Sequence, residues 1–141
     1  MRISHVLPFA LVCLVGCSHG PSLVGKWTVS GDKVPKSSKL GMEFTSSGFT
    51  QTTDMEQMGV NIHIDTNGTY TFDGKKLKMT VTDMKLDDSK IPAQYKEIAK
   101  SGFAAQAAAA KGKTEEIDVK LDGDTATFTQ PKGSATLTRV K

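Results

Sequence analysis

Cysteine, histidine and long hydrophobic runs are scarce in this chain of 141 residues. Both cysteines, Cys13 and Cys17, lie in the first seventeen residues, so they cannot cross-link distant parts of a fold or build a zinc site. The one long apolar run, Val6 to Gly16, is too short to cross a bilayer as a mature helix. A chain with 23% charged residues and a net charge of +3 is typical of one ordinary soluble domain. These shortages exclude a disulfide scaffold and argue against a multi-domain enzyme.

Residues that catalysis or metal binding would need are also few. Beyond Cys17 the histidines are His19, in a short tether, and His63, on the outward side of a predicted strand, and neither position suits a catalytic base. His63 with Asp65 makes an incomplete metal-ligand set. The sequence has no phosphate-binding glycine loop and no basic stripe for nucleic acid. We therefore expect a protein that is not an enzyme, with no cofactor, no metal site and no nucleic-acid partner.

The first residues have the three-part order of a secretory signal peptide. Arg2 precedes an apolar stretch, and small residues follow it. The stretch ends Leu14-Val15-Gly16-Cys17, which resembles the lipobox of bacterial lipoproteins. The resemblance implies cleavage between Gly16 and Cys17, a diacylglyceryl group on the Cys17 sulfur and acylation of the new amine. The alternative is an ordinary signal peptide cut nearby, which would leave Cys17 as a free thiol.

These segments predict a lipid-anchored protein of the bacterial cell envelope. Residues 1–16 are the expected signal peptide, residues 17–22 the lipidated cysteine with its tether, and residues 23–141 the folded domain. Ser18 follows the cysteine where an aspartate would favour the inner membrane, so the resemblance implies the outer membrane, with the domain facing the periplasm. A tether of five residues reaches at most about 17 Å, so the domain should stay close to its membrane.

Beyond Ser22 the apolar residues mostly alternate with polar ones, which predicts strands with one face in a core and one in water. Turn signals separate the runs, among them Ser47-Gly48, Asn67-Gly68, Asp73-Gly74 and Asp122-Gly123. Eight or nine short strands can avoid exposed edges by closing into an antiparallel up-and-down barrel. The alternation slips between Val81 and Met84, which indicates a bulge or the end of that strand. The predicted strands are 24–31, 41–46, 48–55, 60–65, 69–73, 75–83, 114–121, 125–130 and 134–140.

One stretch has helical spacing instead. Ile91, Tyr95 and Ile98 recur at that spacing, Pro92 suits a first turn, and the alanines of residues 104–110 favour a helix. We predict a helix from Pro92 to Lys111, before the last three strands, across the outside or the mouth of the barrel. A low-complexity hinge or mobile lid is the alternative.

Leu23-Val24-Gly25-Lys26-Trp27 resembles the G-x-W signature that opens the first strand of lipocalins and of small bacterial lipocalin-like lipoproteins. The resemblance extends over nearly all of the domain. It includes Phe44, a G-x-Y step at Gly68-Thr69-Tyr70 and a last strand with Leu137 and Arg139. In lipocalins a late arginine packs on the early tryptophan, so the resemblance implies that Arg139 and Trp27 close the barrel. The chain departs from the family in its shorter length, its lack of a disulfide and its inserted helix.

A monomeric lipocalin-like barrel would bind a small hydrophobic molecule, such as a fatty acyl chain, among inward side chains. Met and aromatic residues make an adaptable apolar lining, but eight strands can also be filled by their own side chains. The sequence leaves open a solid-core envelope protein that acts through its outer surface as an assembly factor or as an inhibitor of another protein. The proposed lining residues are Trp27, Phe44, Ile62, Tyr70, Phe72, Met79, Val119 and Phe128.

Overall fold

The computed structural model describes residues 20–32 and 34–141. The predicted signal peptide, the lipidation site at Cys17 and most of the tether lie outside these residues. Within the described ranges, no helix combines the length and the apolar character needed to span a bilayer.

Eight antiparallel strands form a closed barrel in which each strand pairs with its neighbour along the chain and β1 pairs with β8. This confirms the predicted fold, an antiparallel barrel with one helix before the last three strands. Trp27 opposite Arg139 and Val29 opposite Leu137 belong to the register that closes it. The strands are β1 (Gly25–Ser30), β2 (Ser38–Phe44), β3 (Gly48–Gln57), β4 (Val60–Phe72), β5 (Lys76–Asp87), β6 (Thr114–Asp122), β7 (Thr125–Gln130) and β8 (Gly133–Arg139).

The helix α1 spans Ala93–Ala110, one residue shorter at each end than predicted, with Pro92 at its N-cap. None of its residues is buried, and no side chain caps its N-terminus. It packs loosely on β5, and the Lys100 Nζ lies 2.9 Å from a carboxylate oxygen of Asp88 in the preceding loop. The alanine-rich half favours the helical backbone but supplies little apolar area for packing.

The prediction of a hairpin turn at Asn67-Gly68 is wrong, because both residues lie inside β4, which joins the two predicted strands. Tertiary contacts override the local turn preference here. Phe49 of β3 is the register partner of Gly68, and its ring occupies the space that a Gly68 side chain would need. The Thr50 hydroxyl donates to the Asn67 side-chain oxygen at 2.8 Å, which holds Asn67 in the strand.

The slip in alternation after Val81 is a β-bulge and not a strand end. Asn67 faces Asp83 while Gly68 faces Val81, so Thr82 is an extra residue on β5. The Thr82 hydroxyl donates to the carbonyl oxygen of Asn67 at 3.2 Å. The bulge restores the inward direction of the following apolar residues, and β5 continues to Asp87.

The buried core fills one end of the barrel, which we call the closed end. Its largest fully buried side chains come from the loop before β1 and from four strands, and partly buried aromatic residues pack around them. The Phe44 and Tyr70 rings meet edge to face with centroids 5.0 Å apart, a favourable geometry for aromatic pairs. The largest fully buried side chains are Leu23, Trp27, Phe44, Leu77 and Leu137.

Three neighbouring strands rise above the others at the opposite end. β3, β4 and β5 have 10, 13 and 12 residues, whereas β1 and β7 have 6 each. We call their upper parts, residues 53–57, 60–65 and 84–87, the tall wall. Ile62 and Ile64 share the inward face of β4 with Tyr70, so the inner face of the tall wall continues the barrel interior above its mouth.

Candidate functional site

Trp27 and Arg139 meet at the closed end. The guanidinium carbon of Arg139 lies 4.1 Å from the centroid of the Trp27 ring. Arg139 also donates to the carbonyl oxygens of Val24, at 2.6 Å, and Ser22, at 3.2 Å, while the Trp27 indole donates to the Leu23 carbonyl at 2.7 Å. These contacts fasten the segment before β1 across the end of the barrel. Access to the interior therefore has to come from the opposite end.

The barrel interior is hollow above this core. A cavity of about 500 Å³, within the range of small-molecule sites, reaches from the core toward the mouth. We call it the barrel cavity. Apolar side chains form its lower part: Met42, Phe49, Met79, Ile117, Phe128 and Leu137.

Polar groups gather near the mouth of the barrel cavity. Glu115, Gln130 and Lys132 belong to its lining there, and the Gln130 amide donates to a Glu115 carboxylate oxygen at 3.3 Å. Gln51, the register partner of Met42, and the buried Thr66 beside it on β4 add two polar side chains deeper in the cavity. An apolar interior with a few polar groups at one side is the usual arrangement of a small-molecule site, where the polar groups orient the ligand. The arrangement suits a molecule with an apolar body and a polar end.

The residues proposed from the sequence as a ligand lining separate into three groups. Met79 and Phe128 line the barrel cavity. Trp27, Phe44 and Val119 are buried in the closed-end core, and Tyr70 and Phe72 pack against that core from partly buried positions. Ile62 lies higher, on the tall wall. The structure thus brings seven of the eight into or against one core, of which two also face open space.

Tyr70 contributes to the closed end through its hydroxyl group. The hydroxyl donates to the carbonyl oxygen of Thr45 at 2.6 Å, so the ring is fixed under the turn between β2 and β3. Burial raises the pKa of Tyr70 above its ordinary value. The group stays protonated at neutral pH and acts here as a hydrogen-bond donor.

A second apolar space lies between α1 and the inner face of the tall wall, and we call it the groove. Its volume is about 380 Å³. Gln106 of α1 lines both the groove and the barrel cavity, so the two spaces adjoin. The side chains facing each other across the groove are Met55, Ile62 and Leu86 from the wall, with Tyr95, Ile98 and Phe103 from α1.

The outer face of the tall wall carries a polar cluster. The Nδ1 atom of His63 lies 2.6 Å from a carboxylate oxygen of Asp54, and its Nε2 atom lies 3.4 Å from one of Asp65. The hydrogen bond to Asp54 holds the pKa of His63 above its ordinary value. The part of the chain that the structure describes has no group of three or more His, Cys, Asp or Glu residues arranged to hold a metal ion.

Comparison with known proteins adds little to this geometry. No family model matches the chain, and no curated protein matches it. Among solved structures, an uncharacterized protein from Bacteroides eggerthii DSM 20697 is similar, with 13% sequence identity and a TM-score of 0.48. The match covers 84% of this chain and 100% of that chain. The function therefore has to be inferred from the barrel itself.

Several residues that line the open spaces were absent from the lining proposed from the sequence. Phe49 and Ile117 follow the same inward alternation as their predicted neighbours, so periodicity would have identified them. Gln106, Ile98 and Met58 carry no such signal, because their position depends on where α1 meets the tall wall. That contact joins residues that are distant in sequence.

Proposed function

We propose that this protein is a lipid-anchored, non-enzymatic barrel of the bacterial envelope that binds a small hydrophobic molecule in its barrel cavity. The observation that supports it most directly is the open volume of about 500 Å³ above a solid core, with Met42, Met79 and Phe128 in its wall. Methionine side chains adapt to differently shaped apolar partners. The ligand class is an apolar body with a polar end, which matches the polar side chains at the mouth.

Anchoring at Cys17 would place the closed end near the membrane. Pro21, four residues beyond Cys17, packs close to Gly74 in the turn that precedes β5, while the tall wall lies at the other end of that strand. Attached in this way, the domain would present its open mouth to the aqueous side. A ligand would then enter from the periplasm and not from the membrane that holds the anchor.

Native mass spectrometry of the full-length protein, purified in a detergent without an alkyl chain, tests the binding function. We expect a co-purified small molecule in the wild type. Ala135→Phe, which places a ring in the barrel cavity, should lose that molecule, whereas Thr136→Phe, on the next residue and the opposite face of β8, should keep it. Wild-type protein without a co-purified molecule would contradict a ligand in the barrel cavity, as would equal loss of that molecule in both folded variants. Either result would favour action through the outer surface.

The anchor has its own test. Cys17→Ser removes the sulfur that the lipobox resemblance implies is acylated. We expect the variant to lose the lipid mass and to leave the membrane fraction, because stable anchoring needs at least two hydrocarbon chains. Retention of Cys17→Ser in the membrane fraction would contradict the anchor without affecting the proposal for the barrel cavity.

A further inference from the structure

Several apolar side chains around the groove are exposed to solvent and are not part of the buried core. Met58, at the tip of the β3–β4 hairpin, is 90% exposed, and Ile98 and Tyr95 of α1 are 75% and 43% exposed. All three line the groove. Clustered exposed apolar side chains beside a cleft mark a binding site more often than scattered ones do.

The hairpin tip supports the same conclusion. Met58 has a φ of 54° and Gly59 has a φ of 75°, so both central residues of the two-residue turn are left-handed. Asn, Asp and Gly suit the first of these positions, whereas a flexible apolar residue there costs backbone energy. Met58 neither favours its turn nor fills the core, and its position at the end of the groove offers an apolar contact for a ligand.

The polar content of the groove decides what class of molecule fits. Its lining has no charged side chain, and its polar side chains are Gln57, Tyr95 and Gln106. An extended peptide as long as the groove would have about five residues, each bringing an N–H and a C=O group that must be hydrogen-bonded. Three polar side chains cannot satisfy that number. The apolar lining therefore favours an occupant that is almost free of polar groups along its length.

The dimensions match one extended hydrocarbon chain. From Tyr95 to Gln106, at about 1.5 Å per residue, the helix side of the groove is roughly 16 Å long. Spread over that length, 380 Å³ corresponds to a channel about 5 Å wide, enough for one chain with carbons in contact at about 4 Å. Carbon–carbon bonds of about 1.5 Å advance an extended chain by roughly 1.3 Å per carbon, so the channel holds about twelve carbons.

We infer that the groove between α1 and the tall wall is a binding site for a single unbranched aliphatic chain. This site is separate from the barrel cavity of the proposed function, although Gln106 lines both. α1 packs loosely, and none of its residues is buried. Its apolar side chains can therefore move to contact the ligand.

Gly102 provides the decisive variant. A Cβ atom at Gly102 would meet nothing within 4 Å, so the open space of the groove reaches the helix backbone at this point. Gly102→Leu places a side chain in that space and also favours the helix, so the protein should fold. Gly102→Ala favours the helix equally well but fills little of the groove, which makes it the matched control.

The experiment uses full-length protein in a detergent without an alkyl chain, titrated with octanol, dodecanol and hexadecanol. We expect dodecanol to bind more tightly than octanol, hexadecanol to gain little further, and Gly102→Leu to bind dodecanol at least about tenfold more weakly than Gly102→Ala. A dodecanol analogue with an aliphatic diazirine should label the peptides of α1 and of the β3–β4 hairpin.

Two results would overturn the inference: equal binding by Gly102→Leu and Gly102→Ala, or no binding of any of the alcohols. Labelling that spares the tip of the β3–β4 hairpin and is lost in Ala135→Phe would place the chain in the barrel cavity. That outcome would refute the groove site while supporting the proposed function. Labelling of α1 that persists in Ala135→Phe would establish the groove as a site of its own.

Discussion

Arg139 makes contacts that no other cation of the described structure reproduces. Its side chain is 26% exposed, stacks on the Trp27 ring and donates to two backbone carbonyls of the segment before β1. Charge-assisted hydrogen bonds and a partly desolvated cation over an aromatic ring are each more stabilising than an exposed ion pair. One residue near the end of β8 therefore holds the entry to β1 in place.

Replacing Arg139 by methionine should lower the free energy of unfolding by about 1–3 kcal/mol, because the carbonyls of Val24 and Ser22 lose their donor and Trp27 loses its cation. Urea denaturation followed by Trp27 fluorescence measures the change. Lys141→Met is the control, since Lys141 is 86% exposed and reaches Asp124 at 3.2 Å, and it should cost less than about 0.5 kcal/mol. Equal costs would show that the stack on Trp27 contributes nothing.

Gly68 is required for space and not for an unusual backbone angle. A Cβ atom there would overlap the carbonyl oxygen of Thr80 and the ring of Phe49. Gly68→Ala should therefore destabilise the protein by about 1–3 kcal/mol, the usual cost of overpacking. In Gly41→Ala, within β2, the new Cβ meets only the Trp27 carbonyl oxygen at 3.8 Å.

Chemical denaturation of both glycine variants tests this explanation. We expect Gly41→Ala to be neutral or slightly stabilising, because alanine has less backbone freedom to lose than glycine and its Cβ fits. If Gly68→Ala were as stable as Gly41→Ala, the close approach of β3 and β5 over Gly68 would not exist in solution.

The β3–β4 hairpin has different chemistry on its two faces. The inward face lines the groove with Met55 and Ile62, whereas the outward face holds His63 between Asp54 and Asp65. Asp87, opposite His63 on β5, adds a further negative charge. Hydrogen bonds from Ser89 hold the pKa of Asp87 below its ordinary value, and the His63 charge lowers it to a smaller extent. A protonated His63 therefore compensates carboxylates that would otherwise repel one another.

This arrangement makes the stability of the hairpin depend on pH. The pKa of His63 is raised above 6.5 in the folded state, so the contribution is complete below about pH 6.5 and is lost as the pH rises through the folded pKa. It should amount to less than about 1 kcal/mol, since the imidazole is partly exposed and solvent screens its partners.

Thermal unfolding from about pH 6 to pH 8 measures this effect as the difference between wild type and His63→Gln. We expect the wild type to lose stability relative to the variant across that range. The subtraction removes the titration of histidines elsewhere in the chain. Parallel pH profiles for the two proteins would mean that His63 is not paired with Asp54 and Asp65 in solution.

At the scale of the whole molecule, packing is graded from one end of the barrel to the other. The closed end has the fully buried side chains Trp27, Leu77 and Leu137, whereas no residue of α1 is buried at the other end. Regions with few buried apolar contacts open locally at a lower free-energy cost. The fold therefore combines a rigid base with a loosely covered mouth.

Hydrogen exchange of the full-length protein should show this gradient. Amides of α1 are expected to exchange at least about tenfold faster than those of β7 and β8, after correction for intrinsic rates. Mass spectrometry of the exchanged peptides gives the comparison. Equal protection of α1 and β8 would contradict a loosely held helix. Dodecanol should slow exchange in α1 if the groove site is occupied.

The order of elements was predictable because strand and helix periodicities are local properties. Alternation around Trp27 and Val119 predicted β1 and β6, and the spacing of Tyr95 and Ile98 predicted α1. The same reasoning failed at Asn67-Gly68, where turn chemistry is present but Phe49, distant in sequence, occupies the vacant side-chain position. The local sequence indicates a turn at these residues. The need for glycine at position 68 is set by the packing of the neighbouring strand.

Local sequence patterns predicted an antiparallel barrel of eight or nine strands, their inward faces and the position of the helix, because each follows from residues within a few positions of one another. Contacts with β3 decided that residues 60–72 form one strand, which sets the number at eight. Tertiary structure decided that Thr82 is a bulge, that β3, β4 and β5 rise above their neighbours, and that the core fills one end while the other stays open. These features depend on how strands of unequal length align and on where α1 packs against the barrel. Both are set by contacts between distant segments, so no local pattern encodes them.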